Sequence, residues 1–285
     1  MAAIRMLEGL SLPGSKDREN DDAMGCTSEI AFVLDGVTSL AEPPLMGGRS
    51  DAAWVAHLAR DLLVKHKPKV ASDLPRFIAG IAEEITLRFE AGRLRPPVSR
   101  HELPWTTLSI IALEGNRLHI AFLGDSRILI ETADDAVHNY GIPVSRSAFE
   151  KGMAKKMIAA GQGIGVEVQR QTILADLQRS RETVNTPQGY WLLGADASVS
   201  GHLNMATLDL NGSATVLLAT DGFYALTEDY RHYGDRELIA TSQVVGLQTL
   251  GHELRHVEEL DPLGHKYPRM KKSDDATALL VRIEL

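Results

Sequence analysis

Two apolar runs in this chain stop on the same pair of residues. AFVLDG (residues 31–36) and LLATDG (residues 217–222) each end on Asp-Gly. A short apolar run bounded by a turn signal reads as a buried strand. An Asp at its end, followed by a Gly that lets the backbone turn, directs a carboxylate out of the edge of a sheet. A third pair, Asp274-Asp275, immediately precedes the apolar run ATALLVRIEL. Several such ends at one rim concentrate negative charge, which repels itself unless a cation sits among the carboxylates. Hard divalent ions such as Mg2+ and Mn2+ favour oxygen ligands of this kind. The pattern constrains fold and chemistry together: strands far apart in the chain must end side by side, and the enzyme expected there is metal-dependent.

The rest of the composition narrows the alternatives. With 285 residues the chain is long enough for one large domain with a substantial core. Its net charge of −8 argues against a nucleic-acid partner, because phosphate neutralisation needs clustered Lys and Arg. Cys26 is the single cysteine, so an intramolecular disulfide and a Cys-type structural zinc site are both excluded. The N-terminus lacks the apolar core of a secretory signal, and no segment reaches the roughly 18 consecutive apolar residues of a membrane span. The expectation is a soluble cytoplasmic protein with neither a membrane nor a nucleic acid as partner.

The elements follow from periodicity and punctuation. Strands are expected over 4–12, 29–35, 106–113, 117–124 and 127–132, with Gly115-Asn116 at a hairpin position. Ser50-Asp51 opens a helix carrying Trp54, Val55, Leu58 and Leu62 at helical spacing. Ser72-Asp73 with Pro75 opens a second, with a stripe of Ile78, Ile81, Ile85 and Phe89. Residues 129–150 carry no clear pattern, and 151–183 read as helical, interrupted by the glycines of AAGQGIG. YWLL, LNMATLDL and SATVLLAT read as strands, with Asn211-Gly212 as a hairpin between the last two. Residues 221–260 read as mostly helical, and ATALLVRIEL as a closing strand. Antiparallel runs with paired helices inserted give one α+β domain over 1–285.

The acidic positions, Asp21, Asp22, Asp35, Asp125, Asp221 and Asp274, lie in strings that together resemble one family, the metal-dependent type 2C (PPM) Ser/Thr protein phosphatases. The strings are RENDD (residues 18–22), Asp35-Gly36, Gly-Asp-Ser-Arg (124–127), Thr-Asp-Gly-Phe (220–223) and Asp-Asp-Ala-Thr (274–277), in the family's order. WTTLSIIAL is similar to its central Gly-Thr-Thr strand. The resemblance implies an α-β-β-α four-layer sandwich, two antiparallel sheets flanked by helices, with two Mg2+ or Mn2+ ions, or three, between the sheets at one end. It implies Asp35 as bridging ligand, the Gly36 carbonyl on one metal, Asp221 and Asp274 on the second, and Asp21 and Asp22 acting directly or through water. It further implies Asp134 on a third, looser metal, Arg18 on the substrate phosphate, and a variable flap over 136–190. The implied reaction is hydrolysis of phospho-Ser or phospho-Thr in a protein substrate by a metal-activated water, with Asp35, Asp221 and Asp274 as its catalytic residues. Asp125 reads first as a turn residue.

The chain also departs from that family. Val37 stands where many members have a His, Asp17 stands at the place of the phosphate-binding Arg, with Arg18 and Lys16 one step away, and Asp275 replaces an Asn. These departures keep a second reading open, a catalytically weak relative that binds phosphoproteins. A third is a zinc protease, because His252, Glu253 and His256 spell H-E-x-x-H. Against it, Leu247, Leu250, Leu254 and Val257 form the apolar stripe of that helix and put both His on the solvated face.

Overall fold

The computed structural model describes residues 2–48, 50–66, 68, 71–142, 152, 154, 164 and 167–285. Two five-stranded antiparallel sheets organise it. The first has the order β1-β13-β12-β8-β9, formed by Ala3–Leu12 (β1), Ala276–Glu284 (β13), Ala214–Ala219 (β12), Arg127–Glu131 (β8) and Val137–Tyr140 (β9). The second has the order β11-β7-β6-β3-β2, formed by Asn204–Asp209 (β11), Arg117–Leu123 (β7), Leu108–Glu114 (β6), Ile30–Leu34 (β3) and Ala23–Cys26 (β2). A small ribbon joins Leu193–Gly194 (β10), Trp105–Thr106 (β5) and Gly36–Val37 (β4).

Strand alternation explains the layering. In β12, Ala214, Val216 and Leu218 face the other sheet, while Leu217 and Ala219 face helices. In β3, Ala31 and Val33 face inward, while Ile30, Phe32 and Leu34 face helices on the opposite side. Both faces of each strand are therefore apolar, which is why these runs read as continuous rather than alternating. Asp51–Lys65 (α1) and Leu74–Gly92 (α2) cover the second sheet. The side chain of Ser50 accepts from the Ala53 N–H and caps α1, as its sequence predicts. Ile78, Ile81, Ile85 and Phe89 of α2 are all buried, each contributing about 2 kcal/mol of burial. Asp221–Glu228 (α4), Asp235–Val245 (α5) and Leu247–Leu260 (α6) cover the first sheet, and Glu167–Glu182 (α3) packs against the turn at Arg100–Glu102. This is the expected four-layer arrangement.

Two expectations fail. Asn211-Gly212 does not close a hairpin: β11 pairs with β7 in the second sheet, and β12 pairs with β13 and β8 in the first. The turn instead carries the chain from one sheet to the other. Both hydrogen-bonding sides of β12 are taken by β13 and β8, so β11 has no edge of β12 to pair with. The strand β9 falls in a stretch that the sequence leaves unassigned. Within AAGQGIG only Ile164 is among the described residues, and 143–151, 153, 155–163 and 165–166 of the 136–190 segment lie outside them.

Candidate metal centre

The register of the two sheets gathers the strand ends. In the second sheet Ala23 pairs with Leu34, Val33 with Ser109, and Leu108 with Leu123. In the first, Ala219 pairs with both Ala278 and Arg127, and Leu12 with Ala276. These ends meet at one rim, so Asp22, Asp35, Asp125, Asp221 and Asp274, each within two residues of a strand end, gather there. Carboxylate oxygens of Asp35, Asp125 and Asp221 all lie within 4.8 Å of one another. Oxygen-only donors at that separation suit a hard divalent cation.

Local contacts fix each carboxylate. Asp35 sits between β3 and β4, where its backbone N–H donates to Thr107 Oγ1 at 3.1 Å and its carbonyl accepts from the Thr107 N–H at 2.8 Å and from Thr106 Oγ1 at 3.0 Å. The Thr-Thr pair thus clamps the strand end that carries Asp35. Gly36 follows because nothing larger fits: a Cβ there would overlap the Asp21 carbonyl oxygen and lie 3.0 Å from that of Ala52. Gly124 has φ 82°, a left-handed conformation that turns the chain out of β7 and presents Asp125. Asp221 is the first residue of α4, so its carboxylate stands at a helix N-terminus.

The flanking acids divide into working and supporting positions. Asp22 is buried and accepts from Thr220 Oγ1 at 2.9 Å. Asp21 accepts from the hydroxyl of Ser50. Asp275 accepts from the N–H of Gly14 at 2.6 Å through one oxygen and from the N–H of Asp21 at 2.8 Å through the other. An Asn would place an NH2 donor against one of these two N–H groups, so the two-oxygen carboxylate of Asp275 suits the position better. Asp274 is paired with the Lys271 ammonium at 2.7 Å, and Lys271 also donates to Thr38 Oγ1 at 3.1 Å.

The electrostatics match a crowd of like charges. Burial, then Asp22 and Asp125, pushes the Asp35 carboxyl well above the usual carboxylate range; a hydrogen bond with Asp221 opposes this. Burial, then Asp35, Asp125 and Asp274, does the same to Asp221. Burial dominates at Asp22, with Asp275, Asp274 and Asp221 adding to it. Burial also raises Asp21, against the Ser50 hydrogen bond. For Lys271, desolvation beside the crowded rim opposes the charged form even though the side chain keeps a solvent-facing side, but Asp274, Asp35 and Asp221 outweigh it and raise the pKa. The same crowding favours uptake of a proton or a cation among these carboxylates.

The structure places three of the remaining residues as follows. Asp125 belongs to the cluster although its Gly-Asp-Ser setting reads as a turn. The signal was present, since RLHIAFLGD is another apolar run ending on an acidic turn, with the Gly and Asp exchanged. Asp134 does not join the rim: it accepts from Thr132 Oγ1 in the turn after β8, at the opposite end of that strand, about 13 Å away at ~3.3 Å per residue. Arg18 is exposed and forms no ion pair among the described residues.

The H-E-x-x-H string forms no metal site among the described residues. His252 and His256 are exposed on α6, and Glu253 accepts from Tyr233 Oη at 2.6 Å and faces His232 Nδ1 at 3.0 Å. No helix among the described residues is long and apolar enough to cross a membrane.

The chain matches no protein-family model and no curated protein sequence. Solved structures are similar over their whole length. The catalytic domain of the serine/threonine phosphatase PstP, in complex with two manganese ions, is 16% identical with a TM-score of 0.55, covering 100% of both chains. PppA, a regulatory component of the type VI secretion system in Pseudomonas aeruginosa, is 19% identical with a TM-score of 0.53, covering 99% of this chain and 100% of that one. The S. agalactiae serine/threonine phosphatase is 15% identical with a TM-score of 0.54, covering 99% of each. With its strand order, its helical outer layers and these full-length likenesses, the chain has the fold of the PPM-type Ser/Thr phosphatases.

Proposed function

We propose that this chain is a Mg2+- or Mn2+-dependent phosphatase that hydrolyses phosphoserine and phosphothreonine in a protein substrate. The observation that carries this reading is the meeting of Asp35, Asp125 and Asp221 within ligand range at the common rim of two sheets. When bound, a pair of divalent cations supplies a water nucleophile at neutral pH and offsets charge on the phosphoryl oxygens.

The chain's own residues hold that chemistry in place. Asp35, fixed by Thr106 and Thr107, would hold the metals together with the Gly36 carbonyl. Asp221 and Asp274 would supply further carboxylate ligands. Asp22, backed by Thr220, and Asp21, backed by Ser50, support the site from behind. A third cation would draw on Asp125 rather than Asp134. Cys26 is no nucleophile: burial pushes its thiol up to about 11, so it stays protonated at neutral pH. Residues 1–285 then form one phosphatase domain, with 136–190 as the variable flap, working in the cytoplasm on phosphoproteins.

Val37 favours a second reading. It is buried and carries no titratable group, so no side-chain acid follows Asp35-Gly36 to protonate the leaving group. A weak or inactive relative that binds phosphoproteins would tolerate this. Hydrolysis of p-nitrophenyl phosphate and of a phosphothreonine peptide, with and without Mn2+, separates the two. The expected result is Mn2+-dependent turnover, lowered about a thousandfold in Asp35→Asn, as for removal of a principal charge-stabilising group. Wild-type turnover no faster than Asp35→Asn would sink the enzyme reading and leave phosphopeptide binding as the activity to measure.

A further inference from the structure

The rim carries a charge problem that its metals alone do not solve. Asp21, Asp22, Asp35, Asp125, Asp221, Asp274 and Asp275 all stand at or beside it. Two divalent cations bring four positive charges to these seven carboxylates. A phosphate monoester adds roughly 1.5 to 2 further negative charges at neutral pH. An additional protein cation facing the incoming phosphate would offset that repulsion and fix its orientation.

The basic residues near the rim are not equivalent. Arg255 is committed: it pairs with Glu258 at 2.8 Å and donates to the carbonyls of Leu12, Pro13 and Asp274, behind the rim. Arg18 is exposed and touches none of the carboxylates. Lys271 does touch the rim, through Asp274 Oδ1. Its side chain is 42% exposed, so a ligand arriving from solvent can reach it. Its second contact, Thr38 Oγ1, belongs to the Val-Thr-Ser segment that follows Asp35-Gly36. The ammonium therefore spans from the strand end that carries Asp274 to the loop that leaves Asp35. An ammonium has three donors, and these two contacts use two of them.

We propose that Lys271, steadied by Thr38, is the protein group that binds the substrate's phosphate beside the metal centre. The proposal rests on the phosphatase reading for its substrate. Its chemistry, a cation holding a phosphate oxygen next to Asp274, stands on the contacts of Lys271. Lys is suited to the task as a compact charge on a flexible stem that can turn from Asp274 toward an arriving anion.

Binding of inorganic phosphate to the Mn2+-loaded protein, measured by calorimetry beside KM for p-nitrophenyl phosphate, tests it. Lys271→Met should raise both the phosphate Kd and KM about tenfold or more, as expected for loss of a charge-assisted contact. Both are read at saturating Mn2+, with the Mn2+ Kd measured alongside, because Lys271 also touches Asp274. Lys271→Arg should recover most of the phosphate affinity, and Thr38→Val should fall between the two. An unchanged melting temperature in Lys271→Arg guards against misfolding as the cause. If Lys271→Met tightens Mn2+ while leaving phosphate binding and KM as in the wild type, Lys271 is only the counter-ion of Asp274 and the proposal is overturned. Wild-type protein that binds phosphate through Lys271 without turnover would remove the phosphatase reading but keep this site. Wild-type protein that does neither removes both.

Discussion

The carboxylate rim and helix α6 both carry metal-site signatures, and only one of them is assembled. On α6 the signature is local: His252, Glu253 and His256 lie within two turns of one helix. Nothing but the helix itself is needed to bring them near. Yet the two His face solvent and Glu253 is bound by Tyr233 and His232. At the rim the carboxylates are spread from residue 22 to residue 274, and only sheet register unites them. A short local motif is cheap to generate by chance, since one amphipathic helix supplies the spacing. A set of strand ends that converge in three dimensions requires the whole fold to agree. The costly coincidence is the informative one.

The sharpest way to break the rim is through its backbone. In Gly36→Ala the new methyl would press on the Asp21 carbonyl, a backbone atom that cannot swing aside. The expected cost is about 2–4 kcal/mol, in the range of severe overpacking, with loss of the Mn2+-induced rise in melting temperature. Calorimetry with and without Mn2+ measures both. Full stability in Gly36→Ala would mean that the two segments are not held this closely.

A smaller effect sharpens the same contrast through pH. The Asp22, Asp35 and Asp221 carboxyls are raised above the usual carboxylate range in the metal-free fold, chiefly because the crowded rim desolvates them, although only Asp22 is fully buried. The folded chain then binds more protons than the unfolded chain, so stability falls as pH rises from about 4 through the raised native values. A divalent cation replaces those protons and removes the penalty. Melting in EDTA should therefore be lower at pH 8 than at pH 6, by a few °C for each ~1 kcal/mol. Mn2+ should restore more at pH 8 than at pH 6, and Asp35→Asn in EDTA should flatten the slope. A metal-free chain whose stability climbs from pH 6 to pH 8 would contradict the crowding of these carboxyls.

Legibility in the sequence followed the range of the interactions. The caps and stripes of α1 and α2 were readable because Ser50, Pro75 and the Ile78–Phe89 spacing act within one helix. Asp35 and Asp221 were readable because each ends an unbroken apolar run. The sheet to which β11 and β12 belong was not, because Asn211-Gly212 has the same turn chemistry whether the chain pairs back or crosses over. The sequence does not show which of Asp125 and Asp134 reaches the rim, for a related reason. Both follow or precede β8, and only the direction of that strand decides which end meets the rim. Lys271 gave no signal, as its partner Thr38 lies 233 residues away in the chain.

The smallest expected effect falls on α6, and it is the one that separates the two regions most cleanly. His252 and His256 are exposed and none of their contacts holds the fold, so replacing either with Ala should change stability by no more than about 0.5 kcal/mol. Hydrolysis and the Mn2+ response should stay within about twofold of wild type, since neither ring approaches the rim. Glu253→Gln should behave differently in kind. It weakens the acceptor for Tyr233 and His232 and should cost about 1 kcal/mol of stability with the same activity. A folded His252→Ala protein that loses metal-dependent turnover would transfer the metal from the strand ends to the helix, because no contact of the His252 ring connects it to Asp35 by another route.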